Sequence, residues 1–129
     1  MLKKALKIKY ISDLHLEFVK KNKIPRYLKQ IKPDADICIL AGDVGNPKED
    51  HYKETMDYMT ENFEKTFVIT GNHEYYGSSI EETDDYLTNF FKKYENISFL
   101  NNKSEYYKGK HFIGTTLWSH IKDNGYFIN

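Results

Sequence analysis

Five residues combine metal-ligating or proton-transferring chemistry with regular spacing: Asp13, His15, Asp43, Asn72 and His73. They fall in three short polar clusters, each about thirty residues from the next: Ser12-Asp13-Leu14-His15, Gly42-Asp43-Val44-Gly45-Asn46 and Gly71-Asn72-His73-Glu74. Carboxylate, imidazole and amide-oxygen donors suit Mn, Fe, Zn or a similar divalent ion better than a thiolate site would. Two dications about 3.5–4 Å apart repel each other, so a pair needs an anionic ligand between them. The single carboxylate of the middle cluster, Asp43, can be that ligand, and Gly42 and Gly45 let the backbone bend closely around it. Each cluster alone is commonplace: Asp13 could cap a turn, Asp43 could be a turn aspartate and Asn72 a left-handed residue. Their joint order and spacing point to a site.

Each cluster directly follows an apolar run. In residues 6–12, Leu6, Ile8 and Tyr10 alternate with Lys7 and Lys9, the pattern of a first strand. Residues 36–41 are apolar on both faces, as expected of a parallel strand covered by helices, and residues 66–70 form a third buried strand. Residues 24–31 are a weak helix candidate after a Lys/Asn-rich turn. A helix is expected over 47–64, where Tyr52, Met56, Met59 and Phe63 share one face. Its start is marked by Asn46 as cap, Pro47 at the first helical position and Glu49 reaching back. Another helix is expected over 78–94, with Ile80, Thr83, Leu87, Phe90, Phe91 and Tyr94 inward and a Ser79–Glu82 capping box. Beyond Asn96 the pattern is β: residues 97–100, 104–108, a turn at Gly109, then 111–116. This alternation predicts an α/β fold, a parallel-rich sheet with flanking helices on both sides and right-handed crossovers. Such sheets bind ligands outside the carboxyl ends of their strands, so the three clusters should meet on one edge.

The remaining composition narrows the function. The 129 residues fit one domain, and 19 basic against 19 acidic residues give zero formal charge. That argues against a strongly basic nucleic-acid footprint, though not against a nucleic-acid substrate held locally at metals. The single cysteine, Cys38, excludes an internal disulfide, reads as a small buried hydrophobe and suits a reducing, cytoplasmic location. The N-terminus is basic without a sustained apolar region, and no segment is long enough to span a membrane. Three histidines lie outside the clusters: His51, expected to be exposed in the first turn of its helix; His111, a surface or hairpin residue; and His120, just past a strand end. Tyr75 and Tyr76 either stack on a substrate or pack within their loop.

The motifs Asp13-Leu14-His15, Gly42-Asp43-Val44-Gly45-Asn46 and Gly71-Asn72-His73-Glu74 resemble the first three of five motifs of the calcineurin-like metallophosphoesterases. Ser12-Asp13-Leu14-His15-Leu16-Glu17 and Gly114-Thr115-Thr116-Leu117-Trp118-Ser119 resemble the small phosphohydrolase branch, so the likeness runs from about Ile8 to Trp118. The resemblance implies that Asp13 and His15 bind a first metal and that Asp43 bridges to a second. It implies that Asn72 binds the second metal through its amide oxygen and that His73 acts as general acid toward the leaving group. The implied substrate is a phosphate ester, hydrolysed by a two-metal mechanism. The implied architecture is part of a four-layer sandwich. Two departures matter. Val44-Gly45-Asn46-Pro47 stands where protein Ser/Thr phosphatases carry an Asp-Arg-Gly run, which argues against phosphoprotein substrates, although Glu74 matches their third motif. The family's last two motifs, a lone His after a further strand and Gly-His-x-His, have no counterpart in these residues. The expectation is a C-terminally truncated phosphoesterase domain over residues 1–129. The alternative is a catalytically defunct remnant, or a binding subunit that needs a second chain. An unfinished sheet would favour self-association.

Overall fold

The run Ile37-Cys38-Ile39-Leu40 is apolar at every position because both of its faces are covered: Ile37, Cys38 and Leu40 have no exposure. It lies inside a sheet of four parallel strands, β1 (Ile8–Ile11), β2 (Ile37–Ala41), β3 (Lys65–Ile69) and β4 (Ile97–Phe99), ordered as in the sequence. Three helices connect them, α1 (Ile24–Leu28), α2 (Asp50–Asn62) and α3 (Ile80–Phe90), and an antiparallel hairpin, β5 (Lys103–Tyr107) and β6 (Lys110–Gly114), follows. These elements belong to a computed structural model that describes residues 4–119.

The sheet grows in one direction, so right-handed crossovers carry all three helices to the same face. There Cys38, Leu40 and Val68 pack with Leu28 of α1, Tyr52, Met56 and Met59 of α2, and Leu87 of α3. Helices on both sides would require the strand order to reverse, and it does not. The other face, with Ile37, Ile39, Phe67 and Ile69, packs against Leu100 and against Tyr107 and Phe112 of the hairpin. Phe67 and Phe112 stack with ring centroids 4.3 Å apart. Lys108 (φ 47) and Gly109 (φ 77) form the two-residue turn between Tyr107 and Lys110, both left-handed, as a tightly twisted hairpin needs. Gly114 lets β6 lean on the sheet: a Cβ there would lie 3.1 Å from Ile69 Cγ2.

The helix faces follow the periodicity, but the ends differ. Tyr52, Met56 and Met59 are fully buried and Phe63 is 4% exposed. α2 starts at Asp50, with Glu49 as its cap residue, and not at Pro47. The Asn46 side chain accepts the Lys48 N–H (3.1 Å) and its carbonyl accepts the Glu49 N–H (3.1 Å), so residues 46–49 form a separate turn. At α3 the Ser79 hydroxyl accepts the Glu82 N–H at 3.1 Å. The return half of that capping box is absent, because Glu82 is engaged by Ser78 (3.0 Å) and Lys48 (3.2 Å). Ile80, expected inward, is 54% exposed at the first helical position.

Lys65 clamps the hairpin to the sheet. Its side chain is only 10% exposed, and Nζ lies 2.8 Å from the Glu105 carboxylate and 2.7 Å from Ser98 Oγ. Removing the carboxylate strands a largely buried ammonium. Glu105→Ala is therefore expected to destabilise the chain by about 1–3 kcal/mol. Lys21→Ala, which breaks a pair whose partners are both 84% exposed, should leave the urea midpoint unchanged. Equal midpoints for wild type and Glu105→Ala would show that the clamp contributes nothing.

Candidate functional site

The three polar clusters meet where β1, β2 and β3 end, and backbone bonds hold them together. The Asp13 N–H donates to the Gly42 carbonyl (3.0 Å), the His15 N–H to Asp43 (2.9 Å) and the Leu16 N–H to Val44 (2.9 Å). The turn after β3 closes on the same loop, for Asp43 Oδ1 accepts the His73 N–H at 2.9 Å. Glu74, 2% exposed, lies beneath both loops, its Oε1 accepting N–H bonds from Gly71 (3.1 Å) and Val44 (3.4 Å). Gly42 has φ +90, and a Cβ there would come within 2.7 Å of Gly71 N. Glycine is required at that position for conformation and for space alike. Asp13 (φ 60), His15 (φ 47) and Asp43 (φ 53) also occupy the left-handed region, uncommon for such residues. Strain of this kind concentrates at functional sites, held in place by the surrounding bonds.

The side chains converge accordingly. His15 Nε2 lies 3.5 Å from Asp13 Oδ1 and 3.9 Å from Asp43 Oδ2. Donors about 2.1 Å from one dication lie roughly 3–3.5 Å apart, so the His15–Asp13 spacing suits a shared divalent ion and the Asp43 oxygen lies a few tenths of an ångström beyond it. Donor atoms of His15, Asp43 and His73 all fall within 4.8 Å of one another. The His15 and His73 rings meet edge to face at 4.4 Å. Asn72 is exposed, and its amide nitrogen donates to the Tyr76 hydroxyl at 2.8 Å. Desolvation pulls the His15 pKa down, but the Glu17 hydrogen bond and the charges of Glu17, Asp43 and Asp13 outweigh it and raise it above 6.5. Burial pushes the Glu74 carboxyl up to about 7, against the N–H bonds it accepts.

These turns also lie within the span of a known family. The sequence model of the family described as calcineurin-like phosphoesterase matches residues 6–128. The chain belongs to the calcineurin-like phosphoesterase family. An uncharacterized protein of Acanthamoeba polyphaga mimivirus is 34% identical over 128 residues, covering 91% of this chain and 46% of that protein. A crystal structure of a phosphopantetheinyl hydrolase from Mycobacterium tuberculosis has a TM-score of 0.61 and 22% identity, covering 79% of this chain and 38% of that one. It shows that the fold is shared. The chain thus spans about half the length of the mimivirus relative.

The five residues singled out in the sequence all lie on the shared edge. The two tyrosines divide. Tyr75 is buried, bonded to Thr70 (2.8 Å) and Asp84 (2.6 Å), whereas Tyr76 is 61% exposed and sits 4.5 Å from the His73 ring. Two neighbours went unassigned in the sequence. Phe18 is exposed with its ring 6.1 Å from both histidines. Glu17 contacts both imidazoles, and only its place two residues after His15 hints at that. His111 stacks on Tyr106 at 4.0 Å on the hairpin surface. His120 lies outside the described residues.

His51 is not exposed. Its ring is packed against Gly45, where a Cβ would overlap it, and its Nε2 accepts the Asn46 N–H at 2.9 Å. Burial lowers the His51 pKa below 6.5, against the opposing charge of Glu49 and other carboxylates. A depressed imidazole stabilises the fold above its unfolded value of 6.5, and that contribution is lost as pH falls through the lower folded value. The difference in urea midpoint between wild type and His51→Ala is therefore expected to be larger at pH 8 than at pH 5. A difference independent of pH would show that the ring titrates as it does in the unfolded chain.

Proposed function

We propose that this chain carries the amino-terminal share of a two-metal hydrolase that cleaves a phosphomonoester or phosphodiester. The observation that carries the reading is the convergence of His15 Nε2 with the Asp13 and Asp43 carboxylates, at 3.5 and 3.9 Å, where three parallel strands end. Asp13 and His15 would hold one ion, Asp43 would bridge, and Asn72 would reach the second through its amide oxygen. Mn, Fe or Zn suits these donors, and bound there it would stabilise negative charge on the phosphoryl oxygens.

The chain's own groups prepare that site. The His73 N–H fixes one Asp43 oxygen, and Tyr76 fixes the Asn72 amide. His73 is near enough to be a third ligand. We read it instead as the proton donor to the leaving group, the role the family resemblance implies; Glu17 holds its Nδ1 at 2.9 Å, which leaves Nε2 available for that transfer. A hydrolase of the same fold supports the class of reaction. A reducing, cytoplasmic setting would suit Cys38, which is buried with its thiol pushed up to about 11 by burial. Among the described residues, no helix is long and apolar enough to cross a membrane.

The second ion has only a shared carboxylate and a neutral amide among these residues, and no Gly-His-x-His occurs in the 129. Calorimetry with Mn²⁺ should therefore find about one weakly held ion per chain. Asp43→Ala should weaken binding at least about tenfold, while His73→Ala should spare it. Equal affinity in wild type and Asp43→Ala removes Asp43 from the site. Loss of the ion in His73→Ala makes His73 a ligand.

Turnover of p-nitrophenyl and bis-p-nitrophenyl phosphate by residues 1–129 should be slow. It should rise when a C-terminal segment of a full-length relative is fused or added. Fast turnover by the chain alone, abolished by Asp43→Ala, would mean that His111, His120 or a second copy completes the ligands.

A further inference from the structure

We propose that Glu17 is a positioning residue that sets both site histidines at once, fixing each imidazole with its Nδ1–H toward one carboxylate oxygen. The proposal rests on the reading of His15 as ligand and His73 as proton donor. Glu17 Oε1 lies 3.3 Å from His15 Nδ1 and 2.9 Å from His73 Nδ1. An ionised carboxylate only accepts hydrogen bonds, so both Nδ1 atoms must carry hydrogen. In the neutral ring His15 Nε2 is then the lone-pair atom, and it is the nitrogen that faces Asp13 and Asp43. A metal-bound histidine is commonly oriented in this way, with its other ring nitrogen donating to a carboxylate.

On His73 the same contact does a different job. Its Nδ1–H bond fixes the ring plane against His15 and Tyr76 and leaves Nε2 as the nitrogen available to the leaving group. The Glu17 side chain is 18% exposed and its Oε2 is buried without a partner, so the carboxylate is committed to the two rings through a single oxygen. Leu16, 1% exposed in the main core, fixes the backbone beside it. Glu17 thereby couples the candidate ligand beside it in the first turn to the candidate acid of the third, 56 residues further along the chain than Glu17 itself.

The test separates this coupling from the proposed activity. Nitrogen-15 NMR of the imidazoles in the metal-free full chain reports the tautomers directly. Both His15 and His73 should be Nδ1–H in wild type at pH 8. Glu17→Ala should abolish that preference in both rings, and Glu17→Gln, which keeps an acceptor oxygen, should retain it. An unchanged His73 tautomer in a folded Glu17→Ala chain overturns the proposal whatever the activity. So does an Nε2–H His15 in wild type.

The kinetic arm uses the chain complemented by a C-terminal segment. Glu17→Ala should weaken Mn²⁺ binding about tenfold. It should slow an alkyl phosphate at least tenfold more than p-nitrophenyl phosphate, whose leaving group needs little protonation. In a His73→Ala background, that extra sensitivity should vanish. Equal slowing of both substrates would reduce Glu17 to a structural role. If wild type shows the tautomers but no turnover, the proposed function fails while the positioning stands.

Discussion

The contact between Gly42 and Gly71 is the constraint on which the site depends. Parallel strands stand about 4.8 Å apart, and the turns that leave them normally diverge to clear each other's side chains. Here a Cβ at Gly42 would lie 2.7 Å from Gly71 N, and one at Gly71 would overlap the Asp43 carboxylate. With neither Cβ present, the second and third turns close until Asp43 Oδ1 takes the His73 N–H at 2.9 Å. The first turn then aligns on the second through three backbone bonds. Donors from three separate strand ends reach one point because the backbones touch first.

That closure forces unusual conformations and buries polar groups, and two glutamates answer the two problems. Asp13, His15 and Asp43 all adopt positive φ, which the network of loop bonds must offset. The turns also leave N–H groups facing inward, and Glu74 accepts those of Gly71 and Val44. It holds backbone, and so matters to the shape of the site without pointing at it. Glu17 holds side chains, the two imidazoles. Neither glutamate is a candidate ligand, yet each links turns that are remote in sequence. His51 adds a third support, taking the Asn46 N–H behind the second turn.

The strands, the helical faces and the meeting of the three polar clusters on one edge were legible in the sequence because each leaves a local signature. Period-two and period-3.6 patterns mark buried faces, and metal-type residues immediately after apolar runs mark the carboxyl edge. What it concealed depends on geometry between segments. Pro47 and Asn46 look like a helix start, but the Asx turn they form with Lys48 and Glu49 satisfies the same preferences and delays α2 to Asp50. The side on which the helices lie follows from strand order, which no single segment encodes. His51 is expected to be exposed from its place in the first helical turn, whereas its burial comes from Gly45, six residues earlier. Glu17 shows in its own segment only its nearness to His15, since its second partner is His73.

The segment after β6 shows how the second sheet reaches the site. Its Gly-Thr-Thr-Leu-Trp run was noticeable in the sequence only as a family-like string. In the fold, Thr116 Oγ1 donates to the Thr70 carbonyl at 2.6 Å and meets Thr70 Oγ1 at 3.0 Å. Trp118 lies 5.7 Å from the Tyr75 ring. Thr70 is the last residue before Gly71, and Tyr75 follows Glu74. The exit of the hairpin is thus bonded to one end of the third turn, the turn that carries Asn72 and His73, and packed against the other. Gly114 allows this, because a side chain there would strike Leu100 and Ile69 and lift β6 off the sheet. The hairpin therefore does more than cover an apolar face. Through Thr116 and Tyr75 it fixes the outer side of the turn whose inner side is fixed by Asp43 and Glu74. The position of His73 relative to His15 then depends on packing from both faces of the sheet.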